Sequence, residues 1–195
     1  MPHLAPLEYS DINDDEIRST IQQYKKLRGF VPNSIRTMAR RPSLVKAFMQ
    51  LNQAVLYDGT VPEATKMLVS LAVSLSSGCR YCQSHMTNLS AIYNVPDKKI
   101  SALLDYEESD LFSLAEKAAI NLAFKSAQTP SEADDSDFDR LKEYYDEGEI
   151  VELVATASLF GYLNRWNDTM ATQVELVPGD VSKRVFDGWD EGKHA

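Results

Sequence analysis

Two cysteines and a histidine lie within seven consecutive residues of this sequence, in the stretch SSGCRYCQSHMTN. Cys79 and Cys82 are its only cysteines, and His85 is its one interior histidine, because His3 and His194 lie within three residues of the ends. A thiol has a pKa of about 8.5 and reacts as its thiolate, which a nearby cation or a helix N-terminus favours. The stretch therefore combines the groups that thiol redox chemistry needs.

The spacing of these side chains predicts how they cooperate. The residues SSG interrupt the preceding helix, and we predict Ser77 as the N-cap of a new helix with both cysteines in its first turn. A separation of three residues puts the two sulfurs on adjacent faces, within reach of a disulfide after small adjustments. At about 100° per residue, His85 lies near Cys82 and about 120° from Cys79. We expect Cys82 to carry the lower thiol pKa and to be the nucleophile, with Cys79 resolving and His85 assisting.

Such a pair can reduce a peroxide. One thiolate attacks and becomes a sulfenic acid, the other thiol condenses with it, and a reductant restores the dithiol. Three other interpretations stay open: a zinc site, a structural disulfide, and two unreactive core thiols. A closed zinc site needs four ligands, so zinc would require a carboxylate or a second subunit. A disulfide across so short a loop would stabilise the fold little.

The composition is that of a folded acidic protein, with 44% apolar and 25% charged residues and a net charge of −9. Nucleic acids and anionic membrane surfaces repel such a surface, so we expect neither as a partner. No apolar run approaches the roughly 20 residues that span a bilayer, and the first residues lack the pattern of a secretory signal. We expect a cytoplasmic protein without cofactor or metal, in which a CxxC motif indicates redox chemistry.

The hydrophobic pattern is helical nearly throughout. Apolar residues recur at steps of three and four, as in SLVKAFMQLNQAVLYDG, and no alternating strand pattern competes. We predict an all-α protein of roughly eight to ten helices, forming a single domain over residues 1–195. Its CxxC-bearing core covers about 44–128 and its C-terminal helical half about 129–195.

The C-terminal half contains a possible degenerate repeat. When the sequence is aligned with itself at a shift of 85 residues, Cys79 falls on Asn164 and Cys82 on Asn167. The two aligned stretches share a few identical residues. Two similar amphipathic helices explain the same pattern, so both interpretations stay open. In the same window, NRWND suggests an ion pair between Arg165 and Asp168, or a contact of these residues with the thiol pocket.

The stretch LVSLAVSLSSGCRYCQSH resembles the AhpD-like alkylhydroperoxidase and carboxymuconolactone decarboxylase superfamily, and GFVPNSIRTMARRP and FGYLNRWNDTMA resemble its longer members. The resemblance implies an all-α fold around a helical hairpin and a homo-oligomer (dimer, trimer or hexamer). It also implies reduction of hydroperoxides with electrons from a dithiol reductant protein. In such enzymes the second cysteine, here Cys82, becomes the sulfenic acid, and the first, here Cys79, is proton donor and disulfide partner.

Two positions depart from that pattern. The superfamily histidine lies four residues after the second cysteine, whereas His85 lies three after it. The superfamily glutamate that relays protons lies twelve residues before the first cysteine, where this sequence has Met67. We expect Glu63, one turn earlier, to take the relay role, although an acid in the first turn of a helix is also ordinary. Glu116 and Glu152 are the other candidates.

These observations predict a thiol-dependent peroxidase or dithiol oxidoreductase that reduces alkyl hydroperoxides through a Cys79–Cys82 redox pair. Two alternatives remain: a non-catalytic oligomeric helical scaffold, and a cofactor-free decarboxylase-like enzyme of the same superfamily.

Overall fold

The computed structural model describes residues 1–195 and contains ten α-helices, three short 3-10 helices and no strand. The α-helices in chain order are α1 (Asp15–Arg28), α2 (Asn33–Met38), α3 (Pro42–Leu56), α4 (Glu63–Ser76), α5 (Arg80–Ile92), α6 (Asp97–Ser101), α7 (Leu114–Ser126), α8 (Asp135–Lys142), α9 (Glu147–Met170) and α10 (Leu176–Val185). The predictions of an all-α fold and of eight to ten helices are confirmed.

The hairpin of α4 and α5 forms the centre of the molecule. Every residue from Thr65 to Ser74 and from Tyr81 to Ser90 is buried. Helices α7 and α9 pack against α4, and α9 and α10 pack against α5. A helix that is buried on all sides is apolar around its whole circumference or satisfies its polar groups locally. Ser70 and Ser74 do the latter, because each hydroxyl donates to the carbonyl four residues earlier.

Local signals in the sequence account for many helix ends. The Asp14 side chain accepts a hydrogen bond from the backbone N–H of Ile17 at 3.2 Å and caps α1. Gly29 ends the same helix at φ +79°, a conformation that glycine adopts without steric cost. Ser113, Asp134 and Asp146 each form a reciprocal capping box at the start of α7, α8 and α9.

Helix α10 was not predicted. Its pattern is broken by Pro178 and Gly179, which usually indicate a turn. Pro178 lies in the first turn of the helix, where backbone N–H groups have no intrahelical acceptor. Proline, which has no N–H, therefore loses no hydrogen bond there. The preceding helix α9 ends at Met170, followed by Ala171 at φ +48°. The chain then turns back, and α10 packs against α5.

One hydrophobic cluster of 41 buried residues extends from Ile12 to Val185 and joins the hairpin to the surrounding helices. None of the helices combines the length and the apolar character that crossing a bilayer would require.

A buried ion pair joins α4 to α9. The side chain of Lys66 is 1% exposed, and its Nζ lies 2.8 Å from Glu152 Oε2 and 2.6 Å from the carbonyl oxygen of Asp58. The Glu152 carboxylate also accepts the backbone N–H groups of Thr60 and Val61. Glu152 therefore holds the charge of Lys66 and the loop before α4, which leaves no role for it as the proton relay of the thiols.

We expect Glu152→Ala to destabilise the protein by about 3–5 kcal/mol, because it leaves the Lys66 charge buried without its partner. Urea denaturation followed by circular dichroism measures the change in the free energy of unfolding. The matched control is Asp139→Asn, which breaks an exposed pair with Lys142 and is expected to cost less than about 1 kcal/mol. Equal effects of the two substitutions would contradict the structural role given to the buried pair.

Candidate functional site

The two cysteines lie where α4 turns into α5. Gly78 occupies the turn at φ +73°, and Cys79, not Ser77, is the N-cap of α5. Ser77 instead follows the last turn of α4, so the predicted cap was two residues too early. Cys82 lies in the first turn of α5, as predicted, and both thiols are free and buried.

The two thiols differ strongly in acidity. The pKa of Cys79 is lowered to about 6, mainly by a hydrogen bond with the neighbouring Cys82 thiol and then by the His194 imidazole. Burial acts in the opposite direction. Burial, followed by the neighbouring Cys79, raises the pKa of Cys82 well above its usual value. Of the two thiols, Cys79 is therefore the one that ionises more readily. The expectation that Cys82 has the lower pKa was wrong, because His85 is not the imidazole that faces the thiolate.

His85 is held by a buried carboxylate from the chain before α10. Its Nε2 lies 2.7 Å from Glu175 Oε2, and its ring stacks on Tyr81 at a centroid distance of 4.2 Å. The Tyr81 hydroxyl donates to Glu175 Oε1 at 3.1 Å, and the backbone N–H of Asn33 also donates to that oxygen. Burial alone would raise the pKa of Glu175, but the charge and the hydrogen bond of His85, together with the backbone N–H of Asn33, lower it overall.

A small cavity connects Cys82 to this histidine. It has a volume of about 40 Å³, and its lining includes Cys82, His85, Tyr81 and Asn167 but not Cys79. The side-chain amide of Asn167 donates to Cys82 Sγ at 3.4 Å. Cys82 is thus the thiol that a small molecule in the cavity would meet, and a donor is already in place for negative charge on its sulfur.

His194 lies at the other thiol. The Cys79 sulfur, a His194 ring nitrogen and an Asp168 carboxylate oxygen all lie within 4.8 Å of one another. The sequence predicts no role for His194, because it lies near the end of the sequence and no local pattern indicates one. Three donors fall one short of a closed zinc site, so this set does not complete the four-ligand arrangement of a structural zinc centre.

The structure does not bring the other predicted carboxylates to the thiols. Glu63 is exposed at the first residue of α4, about 20 Å along the helix axis from the turn that carries the cysteines. Glu116 lies 2.6 Å from Lys99 and belongs to the Ser113 capping box. Glu63 therefore cannot serve as the relay by direct contact, and Glu175, which the sequence analysis missed, is the carboxylate at His85.

The predicted pairing within NRWND is also different in the structure. Arg165 is exposed and forms no ion pair, whereas Asp168 pairs with Lys193 at 2.7 Å and lies beside His194. The second interpretation, contact with the thiol pocket, holds for Asp168 alone.

The carboxymuconolactone decarboxylase family model matches residues 42–125. The structure of the debrominase Bmp8 superposes with a TM-score of 0.86 at 31% identity, covering 94% of this chain and 97% of that chain. A cysteine-to-alanine variant of Bmp8 in complex with 2,3,4-tribromopyrrole gives a TM-score of 0.87 at 30% identity, covering 95% and 98%.

Two further relatives are more distant. The AhpD core of an uncharacterized peroxidase-related protein from Ralstonia eutropha JMP134 has the same fold, with a TM-score of 0.78 at 23% identity over 89% of this chain and 94% of that chain. The uncharacterized protein YdfG of Bacillus subtilis is 29% identical over 111 residues, which cover 56% of this chain and 74% of YdfG.

Proposed function

Because this chain belongs to the AhpD-like alkylhydroperoxidase and carboxymuconolactone decarboxylase superfamily, we propose that it is a dithiol oxidoreductase that reduces hydroperoxides through Cys79 and Cys82. One observation carries the proposal: two free thiols lie three residues apart at the start of α5, and Cys82 borders a cavity whose lining also includes His85 and Asn167. The pKa of Cys79 is lowered and that of Cys82 is raised, and shifts of this kind cluster at functional sites.

The position of the thiols, with Cys82 at the cavity and the more acidic Cys79 beside it, assigns them different roles. The Cys79 thiolate accepts the proton of Cys82, and the Cys82 thiolate then attacks the terminal oxygen of the hydroperoxide. The O–O bond breaks, Cys82 becomes a sulfenic acid, and the alkoxide takes the proton from Cys79 to leave as an alcohol. The Cys79 thiolate attacks the sulfenic sulfur, an S–S bond forms, and hydroxide leaves as water with a proton from solvent. The peroxide has gained the two electrons that the dithiol lost.

His85 and Asn167 act on the same cavity. In this scheme the His85 imidazole, fixed by Glu175 and by stacking on Tyr81, hydrogen-bonds the peroxide oxygen that leaves. The Asn167 amide steadies the Cys82 thiolate before it attacks. A separate dithiol reductant protein and a homo-oligomeric assembly stay predictions.

The dimensions of the site restrict the substrate. A cavity of about 40 Å³ holds roughly three waters, enough for hydrogen peroxide but not for an organic hydroperoxide. A larger cleft of about 490 Å³ lies between α1 and α3. Tyr24 and Asn52 line both spaces, and the Asn52 amide donates to the Tyr24 hydroxyl at 3.4 Å. We infer that an organic substrate occupies the cleft and reaches Cys82 when this pair separates.

Asn52→Ala is expected to raise kcat/KM for cumene hydroperoxide about tenfold, which corresponds to a barrier lower by about 1.4 kcal/mol. The reason is that it removes one of the two side chains that separate the cleft from the thiol cavity. Hydrogen peroxide, which the small cavity already accommodates, is expected to react at a nearly unchanged rate. Gln53→Ala is the control, because Gln53 lines the cleft but not the thiol cavity. Equal changes for both peroxides in steady-state assays would contradict this route.

A second candidate function is reductive dehalogenation, which the 31% identity to the debrominase Bmp8 over nearly the whole chain favours. In that reaction a thiolate would take the halogen from a halogenated ring, and the ring carbanion would gain a proton. The second thiolate would displace halide from the S–halogen intermediate to form the disulfide. The dithiol again loses two electrons, so the same pair would serve either substrate.

Both candidates can be tested side by side with dithiothreitol as electron donor. We expect consumption of cumene hydroperoxide that depends on the protein and on the dithiol. Bromide release from 2,3,4-tribromopyrrole without peroxide consumption would establish the second candidate instead. Failure of both substrates and of hydrogen peroxide would overturn the oxidoreductase assignment and favour the scaffold or the decarboxylase.

A further inference from the structure

Residues 189–195, here the closing segment, are fixed against the cysteine-bearing helix. The indole N–H of Trp189 donates to the Gln83 side chain on α5 at 3.2 Å, and Trp189 is buried. Lys193 pairs with Asp168 on α9 at 2.7 Å, and the His194 carbonyl accepts the backbone N–H of Val174 at 2.9 Å. A short segment held at three points places one particular side chain, that of His194, with little freedom to move.

The orientation of the His194 ring is also determined. Its Nδ1 lies 2.8 Å from the carbonyl oxygen of Thr172, which can only accept, so Nδ1 carries a proton. The other nitrogen, Nε2, is buried without a hydrogen-bond partner in a side chain that is 1% exposed. It lies 3.5 Å from Asp168 Oδ1, in the group of three side chains that includes the Cys79 sulfur. A buried polar nitrogen without a hydrogen-bond partner is costly, and a proton shared with the neighbouring Cys79 thiol would satisfy it.

We propose that His194 is the proton partner of Cys79: it takes the thiol proton, remains beside the thiolate as imidazolium, and is oriented by Thr172 and Asp168. The proposal rests on the proposed function only for its consequence in catalysis. The closing segment thereby completes the dithiol site, and His85 and His194 serve different ends of the pair.

The surrounding charges agree with this arrangement. Burial alone would lower the pKa of His194, but Cys79, the Thr172 carbonyl and Asp168 raise it overall. The groups that face the Cys79–His194 pair are Cys82 and Tyr81 on α5 and Asp168 on α9, whose charge Lys193 partly balances. A thiolate and a carboxylate beside the His194 ring both favour its protonated form.

The first test is a thiolate titration by absorbance at about 240 nm on the reduced full-length protein, wild type against His194→Gln. We expect the first thiol ionisation to move to a pH at least one unit higher, because the imidazolium is lost. The same substitution at the exposed His3 is the control and is expected to leave the titration unchanged. A folded His194→Gln protein with an unchanged titration would overturn the proposal. Zinc bound stoichiometrically to the purified protein and released by His194→Gln would also overturn it.

A second test needs no variant and so does not depend on folding of a mutant. NMR titration of the His194 ring in the wild type is expected to give a pKa at least half a unit lower in the disulfide form than in the dithiol form, because oxidation removes the thiolate charge. An equal pKa in both forms would contradict the proposal. Both tests measure protonation rather than turnover. A protein that shows these shifts yet reduces no peroxide would refute the proposed function and leave this inference standing.

Discussion

Cys82→Ser is expected to lower dithiothreitol-dependent reduction of cumene hydroperoxide by at least about a thousandfold. Removal of an attacking nucleophile leaves only the rate that binding and electrostatics provide. Cys82 is the thiol that borders the cavity, and Cys79 does not reach it. Peroxide consumption followed over time measures the loss, and circular dichroism of the variant confirms that the fold is kept.

Cys79→Ser is expected to fail in a different way. Cys82 loses the thiolate that accepts its proton, so the attack is expected to slow by about 10²–10⁴-fold, the range of general base catalysis. The sulfenic acid that forms has no thiol to condense with and can be trapped with dimedone. Mass spectrometry after a brief peroxide pulse is expected to place the label on Cys82. Label on Cys79 in the Cys82→Ser protein, with none on Cys82 in the other variant, would reverse the assignment and make Cys79 the nucleophile.

His85→Ala is expected to slow the peroxide step by about 10²–10³-fold, because the cavity loses its hydrogen-bond donor for the leaving oxygen. Disulfide formation by diamide is expected to continue, since that reaction needs the thiols but not the histidine. Single-turnover kinetics with each oxidant separates the two steps.

Two further variants make this result specific. Glu175→Gln keeps the shape of the side chain but removes the charge that holds His85 at 2.7 Å, so we expect a loss smaller than that of His85→Ala. His3→Ala removes an exposed imidazole and is expected to have no effect. A His85→Ala protein that reduces peroxide at the wild-type rate would show that His85 has only a structural role.

The sequence was sufficient to predict those parts of the structure that local signals determine. Asp14 and Gly29 mark the ends of α1, and the apolar run before SSG predicts a helix that becomes the centre of the fold. The first-turn position of Cys82 follows from the same break in the pattern. Where two local signals compete, as Pro178 and Gly179 do with the apolar residues of α10, the prediction failed because burial of that helix on α5 outweighs its weak propensity.

The partners of the thiols could not be predicted in this way. Glu175 meets His85 across 90 residues of chain, and His194 meets Cys79 across more than a hundred, so no spacing rule connects them. The sequence contains a weak signal for Glu175, which is a single acidic residue between the apolar residues Val174 and Leu176. An acid in that position either precedes a helix or lies in a buried site. For His194 there is no such signal, because its burial depends on how the closing segment docks.

A thiol count on the wild-type protein after a single equivalent of hydroperoxide tests directly whether Cys79 and Cys82 act as a redox pair. The reduced protein, freed of dithiothreitol, is mixed with cumene hydroperoxide, quenched with an alkylating agent under denaturing conditions and weighed by mass spectrometry. We expect one equivalent of peroxide to remove both alkylation sites of each chain, and we expect to recover a peptide that links Cys79 to Cys82. Two alkylated cysteines in a protein whose peroxide has not been consumed would contradict this role.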